Sequence, residues 1–73
     1  PAELPVAAPV RIEVYDVLGR KVATLADAPY PAGFHSVEWD LRERSGARAR
    51  PGIYLYRMTA GTFRAGGKMT VIE

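Results

Sequence analysis

The residues whose types could bind an anion are Gly19, Arg20 and Lys21, in the stretch VYDVLGRKVATL at residues 14–25. A glycine followed by two cations could cradle a phosphate group. Phosphate loops, however, place several spaced glycines before Lys-Ser or Lys-Thr and lead into a helix, whereas apolar alternation resumes here directly after Lys21. We therefore predict a hairpin turn with Gly19 at positive φ. Asp16 would bond the backbone donors of that turn, and Arg20 and Lys21 would be solvent-side charges.

Other site chemistry finds little support in the composition. The chain has no cysteine and one histidine, His35, so it cannot build a disulfide, a Cys-based zinc site or a histidine pair. No nucleophile–base pair or carboxylate pair stands out at a recognisable spacing. We expect a protein that is not an enzyme, with no catalytic, metal-binding or cofactor-binding residues and no cofactor.

Charge and hydropathy limit the partners that we expect. The net charge of +2 is too small to indicate nucleic-acid binding. The stretch RERSGARAR at residues 42–50 holds four arginines, but other residue types interrupt it, and we expect a solvated loop rather than a patch for nucleic acid or anionic glycan. No apolar run approaches the roughly 18 residues of a membrane helix, so we expect no membrane insertion.

Period-two alternation dominates this chain of 73 residues, which is short enough to form one domain. In residues 10–15, Val10, Ile12 and Val14 alternate with polar or aromatic residues, which predicts a half-buried strand. We also predict an extended edge segment at 1–9, a strand at 21–25 with Val22 and Leu25 inward, a loop at 27–33, strands at 34–40 and 53–59, and, over 62–73, a closing strand or two short ones broken at Gly66-Gly67. No helical period appears, and the short strands separated by turn signals predict an all-β sandwich.

Three aromatic residues are candidates for stacking on a ligand. Trp39 shares a face with Val37 by alternation, and we interpret it as a core anchor rather than a sugar-stacking platform. Tyr54 and Tyr56, in PGIYLY at residues 51–56, fit the tyrosine corner of immunoglobulin-like sandwiches, in which a buried hydroxyl bonds nearby backbone. Exposed rings would instead favour a carbohydrate-binding module of a secreted glycoside hydrolase.

Ile53 and Leu55 alternate with those tyrosines and therefore lie on the opposite face of the strand. If nothing covers them, they would form an apolar stripe available to a partner. A structural cap or adhesion domain of immunoglobulin-like fold is a separate alternative.

Four segments in a fixed order carry a family resemblance: LP....V.IEVYDVLGRKVATL, PAGFHSVEWD, PGIYLYRMTAGTF and KMTVI. Together they resemble the C-terminal sorting domain of type IX secretion, a structural relative of the immunoglobulin-like domain of the flagellar hook-capping protein. The resemblance extends from Leu4 to Ile72. The sequence departs from the family at Leu41, where glycine is common, and at Gly66-Gly67, where threonine and lysine are frequent.

The resemblance implies a non-catalytic sorting domain that folds as a small, all-β immunoglobulin-like β-sandwich of antiparallel strands. Such domains fold in the periplasm of Gram-negative bacteria and are recognised by an outer-membrane translocon. A surface cysteine peptidase usually removes them, and the cargo is released or attached to the cell surface. For this chain it implies a single C-terminal domain over residues 1–73, excised from a larger secreted protein. The implied partners are the outer-membrane secretion machinery, its signal peptidase and a covalently linked N-terminal cargo domain.

The final strand is where the resemblance places translocon recognition, at Lys68, Met69, Thr70, Val71 and Ile72. A second set of residues is expected to maintain the fold: Asp16, Gly19, Arg20, Gly33, Trp39, Gly52, Tyr54 and Tyr56.

Overall fold

A computed structural model describes residues 2–4 and 6–72 as six strands in two antiparallel sheets. The strands are β1 (Ala2–Leu4), β2 (Ala8–Asp16), β3 (Lys21–Tyr30), β4 (Gly33–His35), β5 (Gly52–Ala60) and β6 (Phe63–Val71). One sheet has four strands in the order β3-β2-β5-β6, and the other pairs β1 with β4. This architecture confirms the all-β prediction. Within the described residues, no helix is long and apolar enough to cross a membrane.

The core lies on the inner face of the four-stranded sheet and follows the alternation of β2. Val14 is fully buried and packs in a cluster with Ala23, Ala49, Tyr54 and Val71. Val10 belongs to a second cluster, which joins the two sheets through Leu4 and also contains Ala26 and Ala60. Ile12 is half-buried and packs against the second cluster. The inward face predicted for residues 10–15 is therefore confirmed.

Two bulges in β3 explain how Val22 and Leu25, three positions apart, can both face inward. Along β2, Ile12 pairs with Ala26 and Glu13 with Thr24, which leaves Leu25 as an extra residue in β3. Val22 is a second extra residue, because Val14 pairs with Ala23 and Tyr15 with Lys21. Each bulge inserts one residue and resets the alternation of the strand. Val22 and Leu25 both pack against the cluster around Val14, as predicted.

The structure corrects the bounds predicted for three segments. The loop expected at 27–33 is shorter, because β3 continues to Tyr30 with Pro29 opposite Pro9. The strand expected at 34–40 is confined to β4, since residues 36–40 have no strand partner. The extended segment expected at 1–9 becomes β1 and the start of β2. Parts of that segment and of the predicted closing strand, namely Pro1, Pro5 and Glu73, lie outside the described residues.

The closing strand is continuous across Gly66-Gly67 and ends at Val71, so Ile72 lies beyond it. Tyr56 is the cross-strand partner of Gly67, and its ring occupies the space that a side chain would need. A Cβ atom at Gly67 would lie 2.8 Å from the Tyr56 hydroxyl oxygen. An aromatic ring laid over a strand glycine compensates for the missing side chain, so the two glycines do not break β6.

Candidate functional site

The turn at Gly19 uses its own backbone donors and leaves no phosphate cradle. Asp16 Oδ1 accepts hydrogen bonds from the backbone N–H groups of Leu18 (2.9 Å) and Arg20 (3.0 Å), and Gly19 N–H donates to the Asp16 carbonyl at 3.0 Å. The hydrogen bonds that the carboxylate accepts, that from the Arg20 backbone first, hold the pKa of the Asp16 carboxyl below its usual value. Gly19 has φ +84°, as the hairpin prediction requires.

The two cations beside Gly19 are paired with carboxylates of the protein. Arg20 Nε donates to Asp16 Oδ2 at 2.9 Å. Lys21 is exposed, as expected from the sequence, and its Nζ also forms an ion pair with Glu13, 2.6 Å from Glu13 Oε2.

Glu13 is a buried carboxylate on the outer face of the four-stranded sheet, which sequence reasoning missed. Its side chain accepts a hydrogen bond from the Tyr15 hydroxyl at 3.0 Å as well as the contact from Lys21. The Lys21 hydrogen bond is the main cause that holds the pKa of Glu13 below its usual value. The alternation had placed Glu13 toward solvent, and only the cross-strand register brings Lys21 to it.

Trp39 and Tyr54 are engaged with the protein rather than presented to a ligand. Their rings meet edge to face at a centroid distance of 5.2 Å, and Trp39 Nε1 donates to the Arg42 carbonyl at 2.9 Å. Trp39 is half-buried against the cluster around Val14. The buried Tyr54 donates its hydroxyl proton to the Arg50 carbonyl at 2.7 Å, which is the bond of a tyrosine corner.

Tyr56 differs from Tyr54, which corrects the joint interpretation of the two tyrosines. It is 37% exposed, and its ring packs over Gly67 on β6. Its hydroxyl makes none of the hydrogen bonds found among the described residues. Tyr56 therefore supports the edge strand, and Tyr54 alone forms the corner.

The remaining predicted motif residues lie at strand ends and in loops. Gly33 begins β4 and Gly52 begins β5, with φ +127° and +149°. His35 Nε2 lies 2.6 Å from the Pro31 carbonyl oxygen, and its ring meets Tyr30 edge to face. Leu41 has φ +63°, a left-handed conformation that glycine adopts more easily. The four arginines of the loop at 42–50 are all exposed: Arg42, Arg44, Arg48 and Arg50.

β6 forms one edge of the four-stranded sheet and is the candidate recognition site. Met69 and Val71 face the core, whereas Lys68 and Thr70 are exposed on the outer face. Ile72 is 74% exposed beyond the end of the strand. The structure thus divides the five residues of the predicted recognition segment between the core, the outer face and the strand end.

An apolar cleft of about 480 Å³ runs between the two sheets and reaches β6. Phe63, Ala65 and Met69 line it from β6, and Tyr56 and Met58 line it from β5. On the opposite face of β5, Ile53 and Leu55 are 49% and 43% exposed, so the apolar stripe expected there is uncovered. No group of three metal-ligating side chains occurs within residues 2–4 and 6–72.

Two antiparallel sheets around one core, with a tyrosine corner on β5, define an immunoglobulin-like β-sandwich domain. A family model described as the FlgD Ig-like domain matches residues 3–63. The chain belongs to the FlgD Ig-like domain family. The matched range ends at the first residue of β6. Neither the curated proteins nor the solved structures contain a match to this chain.

Proposed function

We propose that this domain is a non-catalytic C-terminal sorting domain. It directs a secreted parent protein through the periplasm to the type IX outer-membrane translocon and then to the cell surface or medium. Its partners are the secretion machinery, the signal peptidase of that machinery and the N-terminal cargo domain. Support comes from the ordered segments that resemble such domains: two precede β6, the third ends at its first residue, Phe63, and the last, KMTVI, begins within it.

The accessible edge of β6 is the observation that carries this proposal. A sorting domain must be recognised after it has folded, so its recognition element has to be ordered and exposed at once. β6 meets both needs, because it is a regular strand of nine residues with an unpaired side. Export machinery could recognise such an edge by adding a strand to it, since backbone hydrogen bonds supply affinity and alternate side chains supply specificity.

The carbohydrate-binding alternative is weakened at one of its three aromatic residues. Tyr54 is buried, whereas Trp39, which meets it edge to face, is half-buried and Tyr56 is 37% exposed. The structural or adhesion alternative keeps one favourable observation, the uncovered stripe of Ile53 and Leu55, which could pack against another domain.

The test is export of a reporter in a bacterium with type IX secretion. The domain is fused behind a periplasm-directed reporter, which we expect to reach the surface or medium. Deletion of residues 68–73 should trap the reporter in the periplasm. Because that deletion also removes Val71 from the core, a milder variant, Lys68→Ala with Thr70→Ala, changes only the exposed outer face. The matched control, Arg44→Ala with Thr24→Ala, removes the same two kinds of exposed side chain elsewhere.

The outcomes separate recognition from folding. If the Lys68 and Thr70 variant melts like the wild type yet is not exported, β6 is a recognition element. If it is exported and only the deletion is trapped, β6 matters chiefly for folding. Normal export of the deletion itself would overturn the sorting proposal for this domain.

A further inference from the structure

The two edges of the four-stranded sheet differ in their ability to accept another strand. β3 carries Pro29, which has no N–H to donate, and two bulges at Val22 and Leu25. Prolines and bulges are devices by which proteins blunt an exposed edge. β6 has neither, and its register with β5 runs without a shift from Gly52–Val71 to Ala60–Phe63. Strand addition is therefore possible at β6 and obstructed at β3.

The backbone groups that face the open side of β6 follow from its hairpin with β5. Residues 61–62 form a two-residue turn, so the flanking pair Ala60 and Phe63 is hydrogen-bonded. Hydrogen-bonded and non-hydrogen-bonded pairs alternate along an antiparallel ladder. The residues that direct N–H and C=O away from β5 are consequently Arg64, Gly66, Lys68 and Thr70, which we call the β6 edge.

The side chains on the two faces of β6 define what a partner strand must carry. On the outer face, Arg64 and Lys68 are exposed, and Arg57 of β5 lies opposite Gly66 on the same face. On the inner face, Ala65 and Met69 line the apolar cleft between the sheets. Opposite charges on directly paired residues of neighbouring strands attract each other, and apolar side chains that enter the cleft lose contact with water.

A second copy of this chain does not meet these requirements. When two β6 strands pair antiparallel, as the neighbouring strands of this sheet do, their outer faces lie on the same side of the extended sheet, so both copies of Arg64 and Lys68 would share one surface. Like charges on paired strands are destabilising. The same two cations protect the edge from self-pairing and favour an acidic partner.

We propose that the β6 edge binds an extended segment of another protein in which acidic and apolar residues alternate. The acidic side chains face Arg64 and Lys68, and the apolar side chains enter the cleft beside Ala65 and Met69. This inference deepens the recognition step of the proposed sorting function, on which it rests for its biological setting. The binding event itself can be tested without any export machinery.

The test is binding of a nine-residue, end-capped peptide of alternating valine and glutamate to the ¹⁵N-labelled chain, followed by NMR. We expect shifts at the amides of the β6 edge and not along β3. A valine–lysine peptide should bind at least about tenfold more weakly, because it repels Arg64 and Lys68. Replacing those two residues by alanine should weaken glutamate-peptide binding roughly fivefold. The control variant Arg44→Ala with Arg48→Ala removes the same number of positive charges and should not weaken binding of the glutamate peptide.

A proline at Thr70 tests the backbone contribution. Thr70→Pro removes an N–H that points away from β5, and edge strands tolerate proline where the N–H faces solvent. It should abolish peptide binding without a large change in melting temperature, while Thr70→Ala, which keeps the N–H, should bind like the wild type.

Three results would overturn the inference: equal affinity for the two peptides, shifts along β3, or unchanged binding by a folded Thr70→Pro variant. Failure of peptide binding together with normal, β6-dependent export would refute this partner chemistry alone. Peptide binding as expected, with export that does not depend on β6, would refute the sorting proposal alone.

Discussion

The tyrosine corner allows a sharp test, because the chain offers a matched control for the loss of one hydroxyl group. Tyr54→Phe keeps the ring against Trp39 and removes only the hydroxyl that donates to the Arg50 carbonyl at 2.7 Å. A neutral hydrogen bond contributes about 0.5–1.5 kcal/mol net to stability. We therefore expect the free energy of unfolding to fall by about 1 kcal/mol.

The control is Tyr56→Phe, which removes the same atom from a half-exposed ring two residues along β5. A loss of 1 kcal/mol lowers the melting temperature of a domain this small by roughly 4–8 °C. Circular dichroism melts and urea titrations should show that shift for Tyr54→Phe and a change within about 0.5 kcal/mol for Tyr56→Phe. Equal effects of the two substitutions would refute the assignment of the corner to Tyr54 alone.

Two further predictions concern the hairpin and its buried acid. Gly19→Val should lower the free energy of unfolding by roughly 1–2 kcal/mol through the left-handed backbone alone, since a Cβ atom there meets nothing within 4 Å. Gly19→Asn should lower it less, and a valine variant as stable as the wild type in urea would contradict this prediction. Lys21 lowers the pKa of Glu13 in the folded chain from the usual 4.5, so the Glu13 carboxylate binds a proton more readily in the unfolded chain. The ionised Glu13 therefore stabilises the fold above pH 4.5, and this stabilisation is lost as the pH falls through the folded pKa. Glu13→Gln should flatten that loss in urea titrations carried from neutral pH to below pH 4.5, and Glu38→Gln, at an exposed residue outside this ion pair, is the control for removing one carboxylate.

The sequence predicts the parts of the fold that depend on local geometry. In a strand, successive side chains point to opposite faces, so the alternation around Val10 and Val14 assigns the inward face of β2 without any knowledge of its neighbours. A single glycine between two alternating runs likewise predicts the turn at Gly19. For the same reason Val37 and Trp39 are half-buried although residues 36–40 form no strand.

The errors all arise where a distant segment decides the outcome. Pro29 appeared to end a strand, but β3 passes through it as an edge strand with only β2 to pair. Gly66-Gly67 left open whether the closing segment is one strand or two, and the Tyr56 ring over the second glycine accompanies a single strand. Glu13 appeared solvent-facing, but Lys21 and Tyr15 enclose its carboxylate. None of these contacts can be read from residue types near the position concerned.

By itself, the sequence determined the all-β class, the inward face of β2 and the turn at Gly19, because these depend on side-chain direction and φ preferences within a few residues. Only the tertiary structure decided which strands lie at the edges of the sheet. That choice depends on long-range pairing, which makes β2 and β5 interior and leaves β3 and β6 with one partner each. The β6 edge, with its outward cations and the apolar cleft behind it, exists because of that order.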